Sequence, residues 1–276
     1  MVITTRKATM QDLEAMLKIE ASAIKGYGYL YDNRRFYFDG VQNRGEMVLA
    51  LADGHPAGMG QYSVLPDGSG WLEILRVQQE YQNQGVGKAI YRRYLELAEQ
   101  THAPSAAMFT GVKNRASRGL AEKNGFSVAA EMSGYDWQIS ELPERPELLR
   151  EFRPAGKELL EQQNREGWGS FLALNRTFFH FCPETFAYLA EKGMVYTDGE
   201  NTAVVGCRML KERGYHLAFF SGDWERCFAF AAELTRQEQL PKLSFSFPTA
   251  RADLKQLAEQ KNGTATGDLL VLERKF

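Results

Sequence analysis

The sequence predicts a mixed α/β (α+β) fold in two domains, each a mixed, mostly antiparallel sheet flanked by helices. Three observations lead there. Short apolar runs at 46–52, 57–65 and 71–77 follow one another across turn residues, as the strands of a meander do. The third run leads to Gln82-Asn83-Gln84-Gly85-Val86-Gly87-Lys88, where a long amphipathic helix starts. The same order of elements then returns in the second half, and 276 residues suit two domains of ordinary size.

Taken in order, Val2 to Arg6 reads as a strand, and Leu13, Met16, Leu17 and Ile19 give Met10 to Glu20 a helical period, with Asp12 suiting the helix dipole. Lys25-Gly26-Tyr27-Gly28-Tyr29 breaks the pattern before Tyr31, and a second helix is expected from Asn33 to Asn43. The tyrosines between glycines form either an aromatic wall over a substrate or packing against the sheet. Asp53-Gly54 is a hairpin turn between the first two strands of the meander, and Pro66 to Gly70 turns into the third. The long helix runs from Gly85 to about Gln100, a strand follows at Ser105 to Thr110, and a helix from Asn114 to Lys123 stops at Asn124-Gly125. Phe126 to Ile139 returns as extended chain, and Glu141 to Pro146, with two prolines, reads as the linker, so domains of 1–140 and 141–276 are expected.

In the second half Arg153-Pro154-Ala155 echoes Arg6-Lys7-Ala8, Asp198-Gly199 echoes Asp53-Gly54, and Leu257 to Gly263 repeats the ending Leu120 to Gly125. Phe219 to Glu225 occupies the place of the glycine loop, without its glycine pair and with Asp223 and Glu225, which repel phosphate. The phenylalanines of this half, Phe171 to Phe230, read as core.

A net charge of −2 and 25% charged residues leave no basic excess for general nucleic-acid binding. No segment is apolar enough to span a bilayer and none has the form of a leader, which gives a cytoplasmic expectation. Cys182, Cys207 and Cys227 read as reduced thiols, and the four histidines show no metal-ligand spacing, so no metal is expected.

Two glycines one residue apart at a strand-to-helix turn leave helix amides open to phosphate oxygens. Strand, Gln-x-x-Gly-x-Gly, long helix, short strand and Asn-led helix ending in Lys-Asn-Gly-Phe together resemble the GNAT superfamily of acyl-CoA-dependent N-acyltransferases. Gln82, Gly85 and Gly87 match its signature loop, over about residues 1 to 140, and the second half resembles a degenerate copy that lacks the loop. The resemblance implies that acetyl-CoA is the cosubstrate, lying where the fourth and fifth strands part. Its pyrophosphate would sit on Gln82, Asn83, Gln84, Gly85, Val86, Gly87 and Lys88, its pantetheine on the backbone of Leu75, Arg76 and Val77, with Asn114 on the other side. Lys88, Lys113, Arg115 and Arg118 are available for the ribose phosphate.

Such an enzyme acetylates a primary amine in a ternary complex, and needs a base for the ammonium and an acid for the departing thiolate. Strand alternation puts Glu73 on one face with Leu75 and Val77, which makes it the candidate base; Trp71, two residues earlier, cannot serve. The alternative for Glu73 is a plain ion pair. Relatives often carry a tyrosine acid where this chain has Ala121, so Ser117, one turn earlier, is the candidate acid and Tyr135 a weaker one. Tyr27, Tyr29 and Tyr31 are the expected acceptor-binding residues, for a small-molecule or peptide amine. A silent acyl-CoA sensor and a transferase for another acyl group are the rival readings.

Overall fold

The computed structural model describes residues 1–24, 28, 30–38 and 45–276. The chain forms two compact units. Unit 1 comprises Met1–Met108, Asn114–Ser127 and Leu272–Phe276, and unit 2 comprises Phe109–Lys113 and Val128–Val271. The mixed α/β class, with mostly antiparallel sheet flanked by helices, is as the sequence predicts, but the division is not at residue 140.

Unit 1 begins with β1 (Ile3–Lys7) and a single 3₁₀ turn, Met10–Asp12, that leads into α1 (Leu13–Ala23). Thr9 and Asp12 form a capping box, and both Arg6 amino groups hold the Asp12 carboxylate at 2.8 and 2.6 Å. That guanidinium keeps the Asp12 carboxyl down at about 2. The expected second helix is α2 (Arg34–Phe38); its continuation to Asn43 lies outside the described residues. Next come β2 (Glu46–Ala52), β3 (His55–Val64) and β4 (Gly70–Val77). Asp53 and Gly54, with φ of 47° and 85°, close a two-residue hairpin that pairs Ala52 with His55, the left-handed turn that matches strand twist.

After β4 come α3 (Val86–Gln100), β5 (Ser105–Gly111) and α4 (Arg115–Lys123), and unit 1 orders its strands β1-β2-β3-β4-β5. Val86, Ala89, Ile90, Tyr91, Tyr94, Leu97 and Ala98 form the buried stripe of α3, at the three-to-four spacing that sends one face to the sheet. The strand glycines make room for it: a methyl on Gly58 would stand 2.7 Å from Val86 and 3.1 Å from Ile90.

Unit 2 holds β6 (Ser127–Gln138), α5 (Leu148–Glu151), β7 (Arg153–Pro154), α6 (Lys157–Gln162), the hairpin β8 (Phe171–Leu174) and β9 (Thr177–His180), α7 (Pro183–Glu191), β10 (Val195–Thr197), β11 (Thr202–Gly206), β12 (Tyr215–Ser221), α8 (Trp224–Gln237), β13 (Lys242–Pro248), α9 (Ala252–Gln260), β14 (Thr264–Ala265) and β15 (Leu269–Lys275). Its sheet runs β6-β13-β12-β11-β10-β7, with only β12 and β13 parallel. The order of three antiparallel strands, helix, parallel strand and helix is that of unit 1 from β2 to α4. The expected phenylalanine core is present: Phe171, Phe178, Phe179, Phe186, Phe219, Phe220, Phe228 and Phe230 are buried, and only Phe181 is half-exposed.

Three pairings explain why the division departs from 1–140 and 141–276. β6 pairs with β13 from Met132↔Pro248 to Gln138↔Lys242, which makes it part of unit 2. The segment expected to be a linker is tied down: Arg236 Nη2 donates to the carbonyls of Ile139 and Leu142 at 3.1 and 2.8 Å, and the Arg145 amide donates to Glu233 at 2.6 Å. β15 runs back into unit 1, where Arg274 Nη1 donates to the Asn124 carbonyl at 2.8 Å and the Phe276 amide to the Pro104 carbonyl at 3.1 Å.

Candidate active site

The loop before α3 folds around two left-handed residues, Asn83 (φ 61°) and Gly85 (φ 94°), and α3 begins at Val86 with no side chain capping it. Gln82 and Gln84 spend their side chains on the loop itself, donating to the Val77 carbonyl at 3.2 Å and the Glu80 carbonyl at 2.5 Å. What this loop offers a ligand is therefore main chain: first-turn amides at the positive end of a fifteen-residue helix. Val86 is buried, whereas Gln82 to Gly85 and Lys88 are exposed. The two glycines serve different ends, because Gly85 takes a backbone angle that other residues resist, while a methyl on Gly87 would meet Leu120 at 3.0 Å.

β4 and β5 pair in parallel only at Gly70↔Ala106 and Trp71↔Ala107. Beyond Trp71 the β5-side edge of β4 is unladdered, the geometry that takes an extended amide-bearing chain as an added strand. β4 also carries a bulge. Gln61 pairs with Glu73 and Met59 with Arg76, so Gly60 alone opposes both Ile74 and Leu75, and Ile74 sits at φ 46°. A β-branched residue in that region is strained. The Tyr94 phenol, pushed well above its ordinary range by burial and so always protonated, donates to the Glu73 carbonyl at 3.3 Å. Gly60 leaves the space, since a methyl there would overlap the Tyr94 hydroxyl.

The bulge corrects the expected alternation. Val77 pairs with Gly58, which faces Val86 and Ile90 of α3, so Val77 is on the α3 side. Glu73 instead shares its side with Gln61, Ser63, Trp71 and Arg76, because the extra residue flips the pattern after Glu73. There it is almost wholly buried, and Ser63 Oγ donates to its Oε1 at 2.6 Å. Arg76 Nη1 folds back on the Leu75 carbonyl at 2.9 Å, which leaves less of the expected pantetheine-pairing backbone open than the sequence suggests.

Asn114 is the N-cap of α4, its Oδ1 accepting from the Ser117 amide at 3.1 Å, so its amide nitrogen is the group left for a ligand. Ser117 is half-buried in the first turn of that helix, and Ala121, one turn on, is fully buried. Arg118 pairs with Glu122 at 2.7 Å, and Lys113 and Arg115 are exposed. Tyr27 and Tyr29 lie outside the described residues; Tyr31 is exposed with Arg34 stacked 4.0 Å from its ring centre. The roles of Gln61, Ser63 and Tyr94 escape sequence reading. Their signal is Gln and Ser alternating in an otherwise apolar strand opposite Trp71 and Glu73.

In unit 2 the corresponding helix start is closed. Asp223 Oδ1 accepts from the Glu225 and Arg226 amides at 2.7 and 3.4 Å, putting a carboxylate of the chain itself where an anion would sit.

Residues 10–126 match the sequence profile of the Acetyltransferase (GNAT) family. No curated protein matches the sequence significantly. Among solved structures, the chain is similar to a GCN5-related N-acetyltransferase from Sphaerobacter thermophilus, at 13% identity and a TM-score of 0.64 over 99% of this chain and 95% of that one. It is similar also to a candidate acetyltransferase from Thermoplasma acidophilum, at 17% identity and a TM-score of 0.62 over 99% and 100% of the two chains. A GCN5-related N-acetyltransferase from Kribbella flavida matches at 11% identity and a TM-score of 0.53, over 99% of this chain and 71% of that one. These likenesses carry the fold across the whole chain, and the similarity to the acetyltransferase (GNAT) family profile covers residues 10–126.

Proposed function

We propose that unit 1 transfers an acetyl group from acetyl-CoA to a primary amine of a small molecule or peptide, and that unit 2 is a degenerate GNAT-like domain that binds no cofactor. The observation that carries this is the uncapped start of α3 behind left-handed Gly85, beside a strand whose edge opens after Trp71. Amides and helix dipole favour a pyrophosphate at Gln82 to Lys88, and the open edge favours the pantetheine amides at Leu75 to Val77. Asn114 Nδ2 approaches the same arm from α4. Glu73 takes the ammonium proton, which frees the nitrogen lone pair for attack on the thioester carbonyl. The Ser117 hydroxyl, or water it holds, gives a proton to the thiolate as the C–S bond breaks and takes back the one that the attacking nitrogen sheds on becoming an amide. Tyr27, Tyr29 and Tyr31 are the residues proposed to bind the acceptor amine.

Isothermal titration with acetyl-CoA, followed by CoA release against glycinamide, L-lysine, cadaverine and a peptide with a free N-terminal alanine, tests the reading. Gly85→Val abolishes binding if the loop is the pyrophosphate site, whereas Gly85→Asn, which tolerates the left-handed angle, retains part of it. Binding without release across the panel favours a silent acyl-CoA sensor, a reading kept open by the buried Ala121 where relatives carry a hydroxyl. Release only with longer acyl-CoAs points to a different acyl donor.

A further inference from the structure

A cavity of about 320 Å³ lies within unit 2, bounded by α8, the end of α9 and the chain after β6. That volume falls at the lower end of ordinary small-molecule sites, roughly 300–1,000 Å³. Its walls are held by bonds already made. Arg236 donates to the Ile139 and Leu142 carbonyls and the Arg145 amide to Glu233, which fixes the segment along α8. At α9, the Trp137 indole donates to the Lys261 carbonyl at 3.0 Å. From α8 come Glu225, Phe228, Ala229 and Ala232, the spacing of one helix face, and the two alanines leave space that larger side chains would fill.

The lining is amphipathic. Leu142, Leu148, Phe228, Ala229 and Ala232 give it apolar surface, and Leu148, Phe228 and Ala232 are almost wholly buried. Arg145, Arg226 and Lys261 bring three cations against the two acids Glu141 and Glu225. The cations have donors to spare. Arg145 gives only Nε to Glu147, at 2.5 Å, and Arg226 gives Nε and Nη2 to Asp198 and Glu151. A guanidinium has five N–H groups, so both amino groups of Arg145 and the Nη1 of Arg226 are left over, while Glu147, Glu151 and Asp198 do not line the cavity. Lys261 pairs with the exposed Glu225 at 2.5 Å, a surface contact that exchanges readily.

We propose that this cavity binds a small amphipathic carboxylate, an alkyl or aryl acid whose tail lies on Leu148 and Phe228 and whose head takes the spare N–H groups of Arg145, Arg226 and Lys261. A planar carboxylate accepts two parallel N–H bonds from one guanidinium, which a neutral or cationic head does not. The ligand is the bare acid and not its CoA ester, because Asp223 already holds the α8 amides that a pyrophosphate would need. Glu141, exposed and bonded to no described residue, opposes the head and supplies a test of sign.

Isothermal titration of the whole chain with octanoate, octanol, octylamine and acetate tests this. Octanoate is expected to bind with a Kd below about 1 mM, octanol more weakly, and octylamine and acetate not measurably. Arg145→Met and Lys261→Met each weaken octanoate about threefold and together about tenfold, and added salt weakens it in the wild type. Glu141→Gln tightens it about twofold by removing a like charge. Ala229→Leu, a good helix former at a half-buried position, fills the cavity and abolishes binding with an unchanged circular dichroism spectrum. Octanoate that binds Ala229→Leu as it binds the wild type occupies some other place, and overturns the site. No octanoate binding, or octylamine binding at least as tightly, overturns it too. Should Ala229→Leu fail to fold, the surface variants decide: the Arg145→Met, Lys261→Met pair and Glu141→Gln must move the affinity in opposite directions, and any other result overturns the proposal.

Discussion

Replacing Gly60 with alanine inserts one methyl group where unit 1 has no room for it. Built on the native backbone, the new carbon overlaps the Tyr94 hydroxyl and stands 2.8 Å from Tyr94 Cζ and 3.1 Å from Ile90 Cγ2. Carbon pairs are comfortable at about 3.5–4.0 Å, so the ring has to retreat by roughly 0.7 Å or more. It has little freedom to do so, being buried to 1% exposure and tied through its hydroxyl to the Glu73 carbonyl. Overpacking of this kind costs about 1–3 kcal/mol, and loss of the hydrogen bond adds about 1 kcal/mol, so a destabilisation of roughly 3 kcal/mol is expected. Guanidinium unfolding followed by Trp71 fluorescence, with the three tryptophans of unit 2 replaced by phenylalanine, measures it. Acetyl-CoA affinity should fall as well, because the bulge that Tyr94 braces lies in β4. A Tyr94→Leu change makes room, and Gly60→Ala should then cost clearly less than it does alone. A Gly60→Ala protein within 0.5 kcal/mol of the wild type, with normal acetyl-CoA binding, would refute the account of the bulge.

Three further outcomes are expected. Asp223→Ala removes a helix cap and destabilises unit 2 by about 1 kcal/mol in thermal unfolding, while titration with acetyl-CoA still gives one site per chain; two sites in the wild type would contradict a closed second loop. Burial lowers His216 from 6.5 to about 4, with Asp136 opposing and Lys242 and Arg176 reinforcing the shift. Below 6.5 the unfolded chain therefore takes up a proton that the folded one refuses, and stability falls with pH down to about 4, by at most about 1.4 kcal/mol per pH unit. Stability curves should lose this component in His216→Phe, and identical slopes would rule it out. Deleting residues 272–276 removes the Arg274 and Phe276 bonds to the Asn124 and Pro104 carbonyls, so the melting transition of unit 1 and its shift with acetyl-CoA should both disappear. An unchanged transition would mean that these residues are dispensable.

What the sequence made legible was local. The Asp53-Gly54 hairpin, the stripe of α3 and the glycine turn before it all announce themselves within a few residues, because turn angles and helical periods are set by near neighbours. The bulge in β4 was hidden because Ile74 is the last kind of residue expected at positive φ, and without it Glu73 is grouped with Val77, which lies on the opposite side of the sheet. Ser63 and Gln61 were hidden for a related reason: their significance is a cross-strand register, which no stretch of sequence spells out. Asp223 was read as repelling phosphate, and its geometry adds that it occupies the very amides a phosphate needs. The proline-bearing segment at 141–146 looked like a linker by composition, but Arg236 and Glu233, some ninety residues on, hold it.

The passage of residues 109–113 into unit 2 and of residues 272–276 into unit 1 also sets an order of events during synthesis. The ribosome delivers Met1 to Ser127 first, yet that material lacks a piece of its own sheet until Leu272–Phe276 have emerged. At roughly 5–20 residues per second the wait is on the order of ten seconds, during which β5 and α4 are held by fewer bonds than in the finished protein. Neither unit can be completed from a contiguous stretch of nascent chain, so the two should close almost together, as the last strand leaves the exit tunnel. The half that is translated first is the one finished last.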